Sequence, residues 1–131
     1  TTHIFHTNSL PDEPIVLLDN QDIKVSIVEY LNKANWWEFG YKFKIENKSS
    51  RVFTVMFDSM AIVDIDCSAT ISLYTVEGGI TAYFNLAWDR DSLERSWIPY
   101  IDDISFMLRV YEDSAWKSPA KYGIKVLLKK D

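Results

Sequence analysis

Three features of the amino-acid sequence predict an all-β fold, an immunoglobulin-like β-sandwich of seven to eight antiparallel strands with one short crossover helix. Apolar residues recur at a period of two almost everywhere, the runs are short, and turn chemistry such as Asn47-Lys48-Ser49-Ser50 or Glu77-Gly78-Gly79 closes them. Period-two alternation marks half-buried strands, whereas an amphipathic helix repeats its apolar residues every three to four positions. In a chain of 131 residues this spacing fits a sandwich better than a barrel or an α+β fold.

The elements follow in order. Residues 1–14, a polar segment ending in Pro11-Asp12-Glu13-Pro14, read as a flexible N-terminal arm. Residues 15–131 then form one sandwich domain, since no repeat, low-complexity tract or linker interrupts them. Ile15-Val16-Leu17-Leu18, closed by Asp19-Asn20-Gln21-Asp22, gives a first strand. Ile23, Val25 and Ile27 alternate with Lys24 and Ser26, which assigns the apolar three to the core face of a second. The third carries the clearest alternation, Tyr41, Phe43 and Ile45 against Lys42, Lys44 and Glu46. Trp37 shares the parity of those core residues and Trp36 does not, and a bulge at Gly40 would exchange the two. Phe53, Val55 and Phe57 predict a fourth strand that runs irregularly through Met60-Ala61-Ile62 to a turn near Val63-Asp64.

Residues 69–76 and 80–88, joined by Glu77-Gly78-Gly79, read as a hairpin with Ala82, Phe84, Leu86 and Trp88 on one face. Asp91-Ser92-Leu93-Glu94 pairs an N-cap residue with an acid three positions on, the signature of a short helical turn crossing between sheets. Ile104, Phe106, Leu108 and Val110, then Ile124, Val126 and Leu128, supply the last two strands.

Composition narrows the function classes. At 47% hydrophobic and 15% aromatic the chain can bury a core without staples. A net charge of -5 repels a phosphate backbone, so nucleic acid is not the expected partner. The late lysines Lys117, Lys121, Lys125, Lys129 and Lys130 read instead as a guarded, solvated edge strand. The single cysteine, Cys67, excludes an internal disulfide and leaves the compartment open. The longest uncharged stretch, 78–88, contains Thr81 and Asn85 and is too short to cross a bilayer, so the domain itself is not expected to insert in a membrane. Thr1 in place of an initiator Met suggests that a leader, anchor or tag has been removed.

Catalytic and metal signatures are sparse. A nucleophilic cysteine needs a base within hydrogen-bond reach, and the only histidines, His3 and His6, lie in the arm. Cys67 therefore reads as a small semi-buried residue. No Gly-x-Ser-x-Gly turn or glycine-rich phosphate loop occurs. Carboxylates that could pair across a cleft are Asp64 with Asp66, Asp89 and Asp91 with Glu94, and Asp102 with Asp103, each also explained as a turn former, cap or solvated face. His3-x-x-His6 lacks a third ligand, and Asp89 with Asp91 lacks the loop pattern of an EF-hand, so neither a metal nor a cofactor is expected.

The aromatic residues carry the positive hint, because exposed rings stack on apolar sugar faces while their polar edges stay wet. Five Trp and seven Tyr are many for this length. Trp88 is assigned inward by strand phase. Trp36, out of phase at the start of its strand, and Trp97, Tyr100 and Trp116, in connections, are the candidate ligand-binding residues. Tyr30 and Tyr111 join Trp36 and Trp116 as candidate outward rings for a protein contact.

Three segments, "LLDNQDIKVSIVEY", "GYKFKIENKSS" and "IPYIDDISFMLRVYEDSAW", together resemble immunoglobulin-like domains of lipoproteins and surface proteins of Firmicutes, a family of unknown function. The resemblance spans roughly residues 15 to 128. The family's "D-x-x-I-x-V" strand corresponds to Asp22 through Val28, its "I-E-N-x-S" strand end to Ile45 through Ser49, and its "I-x-D-I-x-F-x-x-x-V-Y-D" strand to Ile101 through Glu112, with Glu112 in place of the usual Asp. The middle segment "MAIVDIDCSATISL" lacks the family's "V-N-G" turn. These motifs are structural. They imply the fold and an extracytoplasmic location, at the cell surface or on a lipid anchor outside the present chain, and they transfer no active site. The expected function is a non-catalytic binding domain for an unknown protein or glycan partner. The rival readings are a carbohydrate-binding module using exposed aromatics and an enzyme using the carboxylates at Asp89 and Asp91.

Overall fold

The computed structural model of the chain describes residues 2–6, 13–30, 38–62, 65–67, 73–89, 94–95, 103–112 and 122–129, with backbone only at 2, 6, 30, 38, 39, 89, 122 and 129. Among these residues ten strands are found: β1 (Thr2–His6), β2 (Ile15–Asp19), β3 (Ile23–Tyr30), β4 (Glu38–Asn47), β5 (Phe53–Ile62), β6 (Ile65–Asp66), β7 (Leu73–Val76), β8 (Thr81–Asp89), β9 (Asp103–Glu112) and β10 (Tyr122–Lys129). They form two sheets. One has six strands in the order β1-β10-β9-β5-β6, with β7 also paired to β5; the other has four in the order β2-β3-β4-β8. The consecutive strands β4 and β5 lie in opposite sheets, β4 pairing with β8 and β5 with β9. Each sheet thus holds a long-range pair, and the two pairs interlock into a β-sandwich.

Alternation places the core as expected. Ile23, Val25 and Ile27 of β3, Phe43 and Ile45 of β4, and Leu86 and Trp88 of β8 are fully buried, facing Phe53, Val55 and Phe57 of β5, the even-numbered residues 104–110 of β9, and Val126 and Leu128 of β10. Phe84, Ala82 and Ile124 are partly buried against them. The Trp88 indole nitrogen donates to the Cys67 carbonyl at 2.8 Å, which satisfies the one polar atom of the largest core side chain. Cys67 itself is a buried free thiol.

Three expectations are corrected, and a fourth point that the sequence left open is decided. First, the described residues hold ten strands, because β1 and the two-residue β6 add to the seven to eight read from sequence. Second, part of the arm read as flexible is a strand: Thr2–His6 pairs with β10 in parallel register, Ile4 opposite Leu127, and Phe5 packs on the core. Not every pair is therefore antiparallel, and β10 is an interior strand, not the lysine-guarded edge. Third, β7 and β8 are not a hairpin, because β7 pairs with β5 and β8 with β4. The turn between them carries the chain from one sheet to the other. Its Ile80 N–H donates to the Glu77 carbonyl at 3.2 Å, with Gly79 at φ 73° in the position where such a turn favours glycine. Fourth, Gly40 is not at a bulge, since the β4–β8 register runs unbroken from Glu38 to Glu46. The irregularity falls on β3, where Val28 is passed over between Ile27 and Glu29. A second break in β5, between Asp58 and Ala61, contains Ser59 at φ 52°. It accounts for the irregular run through Met60. The crossover turn at Asp91 and the tryptophans 36 and 37 lie outside the described residues, except that Glu94 and Arg95 beyond Asp91 are exposed.

Gly40 has a different task. It is buried opposite Ala87, and a Cβ there would collide with the Leu86 carbonyl oxygen and lie 2.7 Å from the Ala87 Cα. Backbone, unlike a side chain, cannot rotate away, so β8 can approach β4 this closely only because position 40 lacks a side chain. Gly40→Ala should destabilise the domain by about 1–3 kcal/mol, read as a lower urea midpoint with an unchanged slope.

Candidate functional site

Of the residues singled out from sequence, Trp36, Trp97, Tyr100 and Trp116 all lie outside the described residues, as do Asp64, Asp91 and Asp102. Tyr30 is placed by its backbone, paired with Tyr41, and Asp89 by its backbone, paired with Glu38. Tyr111 is half-buried on the outer face of the six-stranded sheet, beside Thr54. Asp66 is exposed on β6 and Asp103 half-buried at the start of β9. Among the described residues no group of three His, Cys, Asp or Glu side chains could hold a metal ion.

The described charges that do converge meet at one end of the sandwich. The Arg51 guanidinium donates to Asp22 at 2.8 Å and to Glu112 at 2.5 Å, and lies 5.3 Å from the Phe53 ring centre. Beneath it Asn47 is buried with every polar group engaged. Its side-chain nitrogen donates to the carbonyls of Arg51 (2.7 Å) and Val76 (3.0 Å), and its side-chain oxygen accepts from the Ser49 N–H (3.1 Å) and hydroxyl (2.7 Å). Its backbone bonds Ile80 and Gly79 at 3.0 Å each. Asn20 caps the preceding turn, accepting from the N–H groups of Asp22 (2.8 Å) and Ile23 (3.0 Å). The Lys48 ammonium donates to Asp19 and holds that carboxyl below its ordinary value. Asp22, Asn47, Ser49 and Glu112 here tie four loop and strand ends together. This is a structural lock in which each of these carboxylates is paired with a cation.

The outer sheet faces are where side chains remain available. On the four-stranded sheet Tyr83, 55% exposed, stands beside Asn85 and Thr81, with the Lys42 ammonium 6.0 Å from its ring centre. Lys42 pairs with Glu29 at 3.7 Å and Lys44 with Glu46 at 4.0 Å. The sequence reading passed over Tyr83, although the alternation that sends Phe84, Leu86 and Trp88 inward sends residue 83 out. Tyr74, by contrast, points inward from β7. Its ring lies 3.9 Å from Phe84, its hydroxyl donates to the Asn85 carbonyl at 2.5 Å, and burial raises its pKa above the ordinary 10.0.

No protein family matches the sequence, and no curated protein is similar to it. Solved structures that are similar in part include the following two. WR4, a C. elegans MSP family member, shares 8% identity over 73% of this chain and 87% of its own, with a TM-score of 0.48. A FixG-related protein from Vibrio parahaemolyticus shares 16% identity over 83% of this chain and 96% of its own, with a TM-score of 0.47. At that distance neither bears on what this chain does, and the two-sheet architecture rests on its own strand pairing.

Proposed function

We propose that this chain is a non-catalytic, extracytoplasmic immunoglobulin-like domain of a bacterial lipoprotein or surface protein, acting in adhesion, assembly or ligand capture. The observation that supports the fold type is the interlock of β4 with β8 and β5 with β9. In an immunoglobulin sandwich strands A, B and E share one sheet and C, F and G the other. Here β3-β4-β8 correspond to the first set and β5-β9-β10 to the second, with β7 beside β5 at the edge. The short helical turn read at Asp91-Ser92-Leu93-Glu94 would supply the crossover between β8 and β9. The motif resemblance supports display outside the membrane. A membrane-impermeant reagent should label the native protein on intact cells, and recovery from the cytosol alone would refute the reading.

Tyr83 favours a second reading, the carbohydrate-binding module. An exposed ring flanked by Lys42, Asn85 and Thr81 offers an apolar face with polar groups at its rim, the arrangement a sugar ring needs. Trp36, Trp97, Tyr100 and Trp116 remain the further candidates from sequence and lie outside the described residues. On a glycan array Tyr83→Ala should reduce binding about tenfold or more with an unchanged melting temperature. Retained binding would remove Tyr83 from the contact.

A further inference from the structure

We infer that the open edge of β8 is a self-association site, and that its occupant is the same strand of a second copy, added in antiparallel register across a twofold axis at Tyr83. The inference rests on strand pairing alone and not on where the protein resides. β8 is the last strand of the four-stranded sheet, with β4 on one side only. Its backbone groups alternate in direction, as in any antiparallel strand. The Ile80 carbonyl accepts from the Asn47 N–H, which sets the even-numbered residues toward β4, and the Asn85 carbonyl is met from the other side by the Tyr74 hydroxyl at 2.5 Å. Thr81, Tyr83 and Asn85 therefore turn their N–H and C=O groups off the sheet. Beyond them the edge is closed: the Gly79 N–H donates to the Asn47 carbonyl, and Ala87 already has a partner. Among the described residues nothing pairs with the outward groups of Thr81 and Tyr83 or with the Asn85 N–H.

Only another strand matches such a row of donors and acceptors, and exposed sheet edges ordinarily carry devices that prevent the match. The other edges of this sandwich have them. β2 breaks register between Val16 and Leu18 and ends on Asp19, and β1, β6 and β7 are short, with five, two and four residues against nine in β8. β8 runs in unbroken register with β4 and has neither a charge nor a proline from Thr81 to Trp88.

The open stretch is symmetric about Tyr83, and that symmetry selects a second copy. With Tyr83 opposite the partner's Tyr83, Thr81 falls opposite the partner's Asn85 and Asn85 opposite the partner's Thr81. Each pair exchanges two hydrogen bonds, the Asn85 carbonyl using the lone pair that Tyr74 leaves free. On the outer face the two tyrosine rings lie side by side and each threonine meets an asparagine, so no like charges oppose. On the inner face Ala82 meets the partner's Phe84. Both are partly buried against the core, which the joint extends. A shift of two residues either way brings Gly79 or Ala87, whose groups are taken, into the ladder. The contact is small, so the dimer is weak and reversible.

Sedimentation velocity of the purified chain over rising concentration should show a reversible shift from monomer to dimer and no further, because a twofold contact uses up the edge. Tyr83→Pro should abolish it: the N–H at the axis is lost and a ring stands in the partner's path, while the even-numbered residues still hold β4. Thr81→Pro, which leaves the tyrosine in place, should weaken association roughly tenfold or more. Tyr83→Lys and Tyr83→Glu should each do the same, since position 83 faces itself, and an equal mixture of those two should recover association because Lys then meets Glu. A chain that stays monomeric at every concentration, growth beyond dimers, association indifferent to either proline, or a mixture that fails to recover would each overturn the inference. If a proline variant loses the folded circular dichroism spectrum, Tyr83→Lys, Tyr83→Glu and their mixture decide.

Discussion

Phe57→Ala should lower the stability of this domain by about 3–5 kcal/mol, the cost of emptying a large aromatic site in a packed core. Phe57 projects from β5 into the space between the sheets, where its ring centre lies 4.8 Å from Phe43 on β4, 5.4 Å from Phe106 on β9 and 6.3 Å from Tyr74 on β7. Three of its contacts are tilted or edge-to-face, and such aromatic pairs contribute about 0.5–1.5 kcal/mol each beyond the area they bury. Only the Phe43 contact crosses between the sheets, so the substitution also loosens the joint that keeps β4 and β5 in opposite layers. Phe57→Leu fills most of the volume and should cost about half as much. Urea denaturation reads both: the midpoint falls while the slope is unchanged. A cost below about 1 kcal/mol for the alanine variant would mean that the core collapses onto the site, which rigid strand ladders on both sides oppose.

The four residues of that cluster were legible in the sequence to different degrees, and the differences have physical causes. Phe43, Phe57 and Phe106 follow from alternation, because a strand with one wet face must place its apolar residues on every second position. Tyr74 was read on a hairpin with β8, and its true neighbour is β5. A Gly-Gly turn is local chemistry and reverses the chain equally well within a sheet or between sheets, so nothing at Glu77-Gly78-Gly79 names the pairing partner. Thr2–His6 was hidden for a related reason: a single short strand held by one anchoring ring, Phe5, differs little in composition from a solvated arm. Tyr83 could have been found by the same parity that placed Trp88.

The second large effect is expected at Asn47, where the ends of β4 and β7 meet. Asn47→Ala should cost about 2–5 kcal/mol: four side-chain hydrogen bonds at about 1 kcal/mol each, with the Val76 carbonyl left buried and unpaired. Packing alone does not explain the residue, and Asn47→Asp separates the two accounts. Aspartate keeps the size and both acceptors for Ser49, but it loses the two donors and turns a carboxylate toward the carbonyls of Arg51 and Val76. If volume were the requirement, the aspartate variant would be nearly as stable as the wild type. If donation is the requirement, it should be destabilised at neutral pH by about as much as the alanine variant. The pH dependence gives the sign. Carbonyl oxygens and burial raise the folded-state pKa of that carboxyl above its unfolded value, so the folded form takes up a proton first as the solution is acidified. A protonated carboxyl can donate once. The deficit of Asn47→Asp relative to wild type, measured at equal pH to cancel the weakening of the Arg51 pairs with Asp22 and Glu112, should therefore shrink as pH falls, while that of Asn47→Ala stays constant. On this account the asparagine is there as a donor, closing the ends of β4 and β7 against each other.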